Sequence, residues 1–495
     1  MDTGRDPGLN LERLVVLAKS AKPDYGALAS PVEAPELPAG VVRTVPQAAV
    51  RELLRSWGLD AERFGTPAWN PLTALIPEGA RVTLKPNWVL HWNRSGSGLD
   101  CLITHPAVIE AVLDYVALAR PSRVVLGDAP VQGCDFEALR KACGLDEMVE
   151  RFRRRGLDVE ICDFRRTVLP GGRLGGKRIE NRRAMEHFVL FDLKKDSLLE
   201  ALAKDAEKFR VTVYNPDLLN RTHAPGRHQY LVAREVIEAD VVINLPKLKC
   251  HKKACVTGAL KNLVGINGHK EYLPHHRKGG SGTGGDCYEG RSWLKYQAEE
   301  LYDWANRCQP GTRQALLARM GRLFARTAHL LGSDLNLEGS WYGNDTVWRT
   351  CLDLQRILRY GRPDGTLAET VQRQVISVTD TIIGGEGEGP MASTPVPAGF
   401  LTGATNPAAA EWVHARLMGF DPNKIPLVRE AFGSFSYPLV SFAPSEICVR
   451  TEEGELEPRQ VFPFVRAFRP AAGWLSHCEL DEIHDRELGK PNLVA

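Results

Sequence analysis

The sequence predicts an α/β fold: a mostly parallel, mixed sheet flanked by helices, with a helical insertion and a small β-containing appendage at the C-terminal end. Three observations predict it. Short apolar runs rich in valine and leucine, RVTLKPNWV (81–89), RVVLGDA (123–129) and DVVINL (240–245), have the continuous character of strands covered on both faces. A segment of helical spacing lies between the first two, as a parallel crossover requires. Beyond residue 290 the pattern changes to amphipathic helical repeats before a strand-like run, VISVTDTII (375–383), resumes the core.

Taken in order, LVVLA (14–18) reads as a first or edge strand, and a Pro/Ala-rich loop follows. Val50, Leu53, Leu54 and Trp57 have helical spacing, with Pro46 suited to a first helical position and Gly58 to the stop. His105-Pro106 opens a helix through Ile109, Val112, Leu113 and Val116. The 160s to 230s are more polar, with VTVYN (211–215) as a further strand. Val256, Leu260, Leu263 and Val264 predict a helix over 254–265, and GGSGTGG (279–285) a flexible loop that could act as a lid. Residues 407–418 read as a helix, and short apolar runs from Ser436 form the appendage. The expected division is 1–70, 71–290 and 371–435 for an N-terminal segment and two parts of the core, with 291–370 as insertion and 436–495 as appendage.

Composition narrows the function classes. At 495 residues and 43% hydrophobic content the chain can bury a sizeable core, and 63 Lys plus Arg nearly cancel 61 Asp plus Glu. That balance argues against coating nucleic acid or a membrane surface and leaves an anionic small molecule as the expected partner. Eleven cysteines without a CxxC pair give no expectation of an iron–sulfur cluster or structural zinc. No apolar run approaches the roughly 18 residues of a membrane span, and no signal-peptide layout begins the chain, so a cytoplasmic, soluble protein is expected. Oligomeric state leaves no signal.

Charge is concentrated in one stretch. From Lys247 to Lys278 seven lysines and one arginine face the single acid Glu271, with His251, His269, His275 and His276 among them. Ligands of open parallel sheets sit beyond the carboxyl ends of the strands, so strand tips supply the candidates. Lys85, Asn87, Lys247 and Lys249, together with Asn262, would bind the anion, and the N-terminus of the 254–265 helix would add backbone N–H groups. Trp341 and Asn344, in the aromatic and polar WYGNDTVWR, would line the same cleft. Asp128, Asp380, Glu386 and Glu388 offer oxygen ligands for a divalent metal, the last two in the glycine-rich GGEGEGP loop (384–390). His251, Lys261 and His269 are the candidate catalytic groups, because histidines and a desolvated lysine titrate where proton transfer needs them. Against these readings stand plainer ones: a solvated basic loop, a tight turn with exposed glutamates, and a buried lysine paired with a carboxylate.

The segments VTLKPNW (82–88), THPAVIEAVLDYV (104–116), VVLGDAP (124–130), ADVVINLPKLKCHKKACVTGALKNLVG (239–265), GSWYGNDTVWRTCLDL (339–354), GGEGEGP and NPAAAEWVHARLMGFDP (406–422) together resemble the uncharacterised domain-of-unknown-function family 362. The resemblance implies little chemistry. Many members carry a ferredoxin-like cysteine cluster that this chain lacks, and the family pattern has aspartates where Asn406 and Glu411 stand here. GALKNLVGINGH (258–269) is in addition similar to the nickel-pincer lactate racemases, in which a cofactor-tethering lysine precedes a histidine. That likeness puts Lys261 and His269 in the matching places, without the proline of the pattern, and points to a site rather than to the cofactor.

The expected function is therefore an enzyme that binds a carboxylate or phosphate and performs an isomerase- or lyase-type proton transfer, with or without a metal. A transition-metal-dependent oxidoreductase of a biosynthetic pathway and a non-catalytic binding protein for an acidic metabolite are the alternatives.

Overall fold

A computed structural model describes residues 10–38, 42–170, 179–180, 183–334 and 336–481. Its main sheet has twelve strands. In chain order these are β1 (Leu14–Lys19), β2 (Arg81–Pro86), β3 (Arg123–Asp128), β4 (Val159–Asp163), β5 (Val241–Leu245), β6 (Lys247–His251), β7 (Cys255–Thr257), β8 (Gln374–Glu388), β9 (Ala392–Val396), β10 (Phe400–Ala404), β11 (Cys448–Thr451) and β12 (Gly454–Leu456). They lie in the order β12-β11-β1-β10-β8-β5-β2-β3-β4, with β6 and β9 joined to β8 and β7 to β6. The stretch from β8 to β4 is parallel, while β10 runs antiparallel to both β8 and β1. The α/β class is as the apolar runs predict.

Buried positions on both faces explain why these runs do not alternate. Val82 and Leu84 pack into one apolar cluster with α1 (Val45–Trp57) and α2 (Pro106–Leu118), whereas Val125 and Val242 face a second cluster on the other side. Helix α1 starts at Pro46 in its first turn and ends at Gly58, whose φ of 77° is the left-handed cap that glycine adopts freely. Helix α2 is capped by His105, whose Nδ1 accepts from the Ala107 N–H at 3.2 Å.

The connectivity makes a switch point. The chain leaves β2 towards β3 and β4, then returns to add β5 on the other side of β2. Such a reversal opens a crevice at the carboxyl ends of the two strands that part, here Pro86 and Leu245.

Several local expectations change. β1 is the first strand in the chain, as read, but it is interior, paired with both β10 and β11, rather than an edge. The first part of the 254–265 segment is the second arm of a β6–β7 hairpin, with Cys255 at φ 64°, and the rest is helical, as helix α3 (Ala259–Asn262) continued by a 3-10 turn over Leu263–Ile266. Leu260, Leu263 and Val264 are thus helical as their spacing predicts, and Val256 alone is taken into the strand. GGEGE is not a loop but the end of β8, paired across a hairpin with β9. Residues 211–215 form a turn, and the short strand lies just before them, where Phe209 and Arg210 pair with Arg277 and His276. The appendage strands β11 and β12 extend the main sheet through β1.

Within 291–370, α4 (Trp293–Arg307) and α5 (Thr312–Leu330) form a helical hairpin. α6 (Val347–Tyr360) is instead buried in the core, as is α7 (Pro407–Leu417). Among the described residues no helix is long and apolar enough to cross a membrane.

Candidate active site at the sheet switch point

Two lysines predicted to bind an anion are held by carboxylates of the protein. Lys85 Nζ lies 2.7 Å from Asp128 Oδ1, and the other Asp128 oxygen accepts the Trp88 N–H at 2.7 Å. Lys247 Nζ lies 2.6 Å from Asp380 Oδ2 and 2.6 Å from the Tyr25 hydroxyl, which itself donates to Asp380 Oδ1 at 2.8 Å. Burial alone would drive both ammonium groups down in pKa and Asp128 up, and each partner opposes that shift. Lys249 has no carboxylate partner among the described residues. Its Nζ donates to Asn87 Oδ1 at 2.6 Å and to the Leu102 carbonyl, and burial depresses it far below the ordinary lysine range.

Asn262 knits the switch point together. Its Oδ1 accepts from Lys85 Nζ and Asn87 Nδ2, both at 2.9 Å, while its Nδ2 donates to Asn244 Oδ1 at 2.8 Å on β5. Gly265 is required beside this knot: a Cβ there would stand 2.1 Å from Asp128 Oδ1 and 2.7 Å from Lys85 Nζ. The predicted anion site at the start of the 254–265 helix does not form. Glu411 Oε2 already accepts the Leu260 N–H at 3.4 Å, and a Cβ on Gly258 would come within 2.2 Å of that oxygen.

Lys261 differs from its neighbours. It is 9% exposed, yet among the described residues its Nζ has no hydrogen bond and no ion pair. Burial lowers its pKa, and no carboxylate answers it. Its charge is felt by Lys85, Lys270, His251 and His275. Lys270, partly buried and with no side-chain hydrogen bond or ion pair among the described residues, is pulled down to about 8 by burial and then by Lys261. Burial followed by the Lys261 charge holds both His251 and His275 well below the ordinary imidazole range. His251 Nδ1 accepts from the N–H groups of Lys253 (3.1 Å) and Ala254 (3.2 Å). The neutral ring therefore carries its proton on Nε2.

The family model described as a domain of unknown function (DUF362) matches residues 82–192 and 195–416. The chain belongs to the DUF362 family. A thylakoid-associated protein of Synechocystis sp. is 24% identical over 351 residues, which are 71% of this DUF362 chain and 67% of that protein. A Thermotoga maritima protein of known structure is similar at 11% identity and a TM-score of 0.27, over 66% of this chain and 51% of its own. The lactate racemase apoprotein of Thermoanaerobacterium thermosaccharolyticum is similar at 12% identity and a TM-score of 0.26, over 74% of this chain and 55% of its own. The chain thus spans about half the length of these two solved proteins.

Of the predicted site residues of this DUF362 member, Lys85, Asn87, Asn262, Lys249 and Asp128 come together, and Lys261 and His251 are electrostatically coupled beside them. His269 is turned to Glu271, with Nε2 at 3.6 Å from Oε2. The four carboxylates proposed for a metal do not converge. Asp128 and Asp380 answer different lysines, Glu388 pairs with Lys252 at 2.7 Å, and Glu386 accepts the Arg469 N–H at 2.9 Å. Trp341 donates from Nε1 to the Asp286 carbonyl at 2.8 Å, and Asn344 donates to the carbonyls of His275 (2.9 Å) and Gly339 (2.8 Å). Asn344 thereby orients the His275 backbone and also lines a surface cavity of about 480 Å³ with Tyr342, Trp348 and Arg349.

Tyr25, Lys270 and His275 are the participants that sequence reasoning missed or misassigned. Tyr25 sits in a Pro/Ala-rich loop with no local signal. His275 was legible only as one of several histidines beside the glycine run.

Proposed function

We propose that the chain is an enzyme that takes an anionic small molecule, a carboxylate or phosphate, at the switch point and moves a proton on it in an isomerase- or lyase-type step. The observation that carries this reading is Lys261, a buried lysine without a protein partner among the described residues, coupled to two histidines held neutral. An unanswered buried ammonium is costly, and a bound anion would offset that cost.

The hydrogen bonds around His251 divide the roles. With Nδ1 occupied by two backbone N–H groups, the neutral His251 offers Nε2–H as a donor to a substrate oxygen. Lys261, whose amine form burial favours, is the proton acceptor, and the ammonium it becomes on taking the proton is the charge that the bound anion offsets. Lys270, pulled to about 8, adds a titrating cation for the anionic group. Lys85 and Lys249 support the site from beneath through Asn262 and Asn87.

The test is isotopic. Purified protein is incubated in D2O with a panel of small hydroxy- and oxo-carboxylates and phosphate esters, and deuterium at the carbon beside the acid is read by mass spectrometry. Incorporation that disappears in Lys261→Ala and His251→Ala, with the melting temperature preserved, is the expected result. Incorporation unchanged in both variants overturns the assignment. Saturable binding of a panel member with no incorporation would favour the binding-protein reading instead.

A further inference from the structure

His276, Cys287 and Glu299 place an imidazole nitrogen, a thiol sulfur and a carboxylate oxygen within 4.8 Å of one another, and all three residues are buried. We propose that these residues bind a divalent transition-metal ion of the zinc(II) or iron(II) class. The glycine-rich segment read as a mobile lid explains how residues eleven apart in sequence meet. Gly285 N–H donates to the Gly280 carbonyl at 3.1 Å, Gly282 N–H to the Gly290 carbonyl at 2.9 Å, and a Cβ on Gly285 would stand 2.1 Å from the Gly279 carbonyl oxygen. The loop is a tight fold that only glycine permits. Glu299 is brought in from the second turn of α4 and accepts the Gly279 N–H at 3.0 Å.

Charge and donor chemistry favour a metal over a bare hydrogen-bond cluster. A thiolate, a carboxylate and a neutral imidazole balance a divalent cation, so the occupied site would be electrically neutral in the core. The sulfur and nitrogen donors select a borderline ion over Mg²⁺ or Ca²⁺. Tetrahedral donors around zinc stand about 3.5 Å apart, so the site closes by about an ångström on binding. Supporting contacts are in place: the Glu338 N–H donates to Cys287 Sγ at 3.0 Å. The position differs from the carboxylates expected from the sequence and is independent of any turnover at Lys261.

Cobalt(II) titrated into chelator-stripped protein is the probe. One equivalent should give an intense near-ultraviolet sulfur-to-cobalt band and a visible ligand-field band, neither displaced by excess Mg²⁺. Cys287→Ser should abolish the sulfur band, and Glu299→Gln, which keeps shape and hydrogen bonding, should weaken cobalt binding by about tenfold or more. Absence of the sulfur band in the unaltered protein, or its survival in Cys287→Ser, overturns the site.

A second, independent feature lies on α5. Ala318, Gly321 and Ala328 are its buried residues, with Gly321 tight against Tyr302 of α4, and Leu316, Met320, Leu323 and Leu330 are exposed. At about 3.6 residues per turn those four lie on one stripe opposite the packed face. The helix contains Arg313, Arg319, Arg322 and Arg326 and no Asp or Glu, and Trp293 and Trp304 of α4 are also exposed. We infer that this hairpin docks on an anionic lipid surface. A second copy would set arginines against arginines, whereas an apolar stripe flanked by arginines suits a negatively charged interface.

Co-sedimentation with phosphatidylglycerol–phosphatidylcholine vesicles tests it. Binding that weakens with salt, is absent on pure phosphatidylcholine and is lost in Leu316→Ser/Leu323→Ser is expected; the substituted positions are exposed, so folding is preserved. No binding to the anionic vesicles overturns the inference, as does a dimer in vesicle-free buffer that the double variant dissolves.

Discussion

Lys85 Nζ and Asp128 Oδ1 meet at 2.7 Å across two adjacent parallel strands, with side chains 1% and 4% exposed. Removing one partner of such a pair leaves the other charge buried and uncompensated. Asp128→Asn should therefore lower stability by about 3–5 kcal/mol at neutral pH, read from urea unfolding. A loss below about 1 kcal/mol would mean that Lys85 is already neutral in the folded protein.

Gly265 tests the same knot by volume rather than charge. Its added Cβ would overlap Asp128 Oδ1 and Lys85 Nζ, and both side chains are locked by further hydrogen bonds. Gly265→Ala should cost about 1–3 kcal/mol or more, and Gly133→Ala, whose Cβ has its nearest neighbour at 3.7 Å, should cost far less.

Lys261 should behave in the opposite sense to Asp128. With no partner among the described residues, its charge or its desolvated amine is a cost to the fold. Lys261→Met keeps the length and apolar contacts, so stability should be unchanged or rise by about 1–2 kcal/mol while any turnover disappears. A marked loss of stability would show instead that Lys261 is a structural residue.

His223 should limit stability in acid. Its Nδ1 lies 3.3 Å from His228 Nδ1, whose ring is bound through Nε2 to Glu200, and its Nε2 lies 3.2 Å from the Tyr272 carbonyl. Burial, with His228 beside it, pushes its pKa from 6.5 down to about 3. A depressed folded pKa means that the stability is fully present above pH 6.5 and is lost as pH falls towards 3, about 5 kcal/mol over that span. His223→Gln should flatten the acid limb of a pH–melting curve; an unchanged limb would assign it to other groups.

Much of the fold could be read from local pattern. β2, β3, β5 and the first part of β8 announce themselves as unbroken apolar runs because both faces of a parallel sheet are covered, and α1, α2 and α7 carry proline starts at the expected positions. Where two signals competed, local pattern failed. The 254–265 spacing suits a helix, yet pairing of Lys249 with Thr257 and the left-handed backbone at Cys255 took its first third into a hairpin, and only the part from Ala259 is helical. GGEGEGP has the composition of a loop, but the neighbouring strand β9 supplies partners that turn it into sheet.

The sequence by itself determined that the chain is α/β, that its strand tips carry lysines, asparagines and carboxylates, and that positive charge collects between Lys247 and Lys278. It could not say which lysine is answered. Lys85 meets Asp128, Lys247 meets Asp380 and Lys261 meets no partner among the described residues because strand order decides which side chains face each other, and that order rests on contacts between residues up to hundreds of positions apart. Periodicity reports burial, which each residue feels locally. Compensation of charge is a property of pairs, and the pairs exist only once the sheet has closed around its switch point.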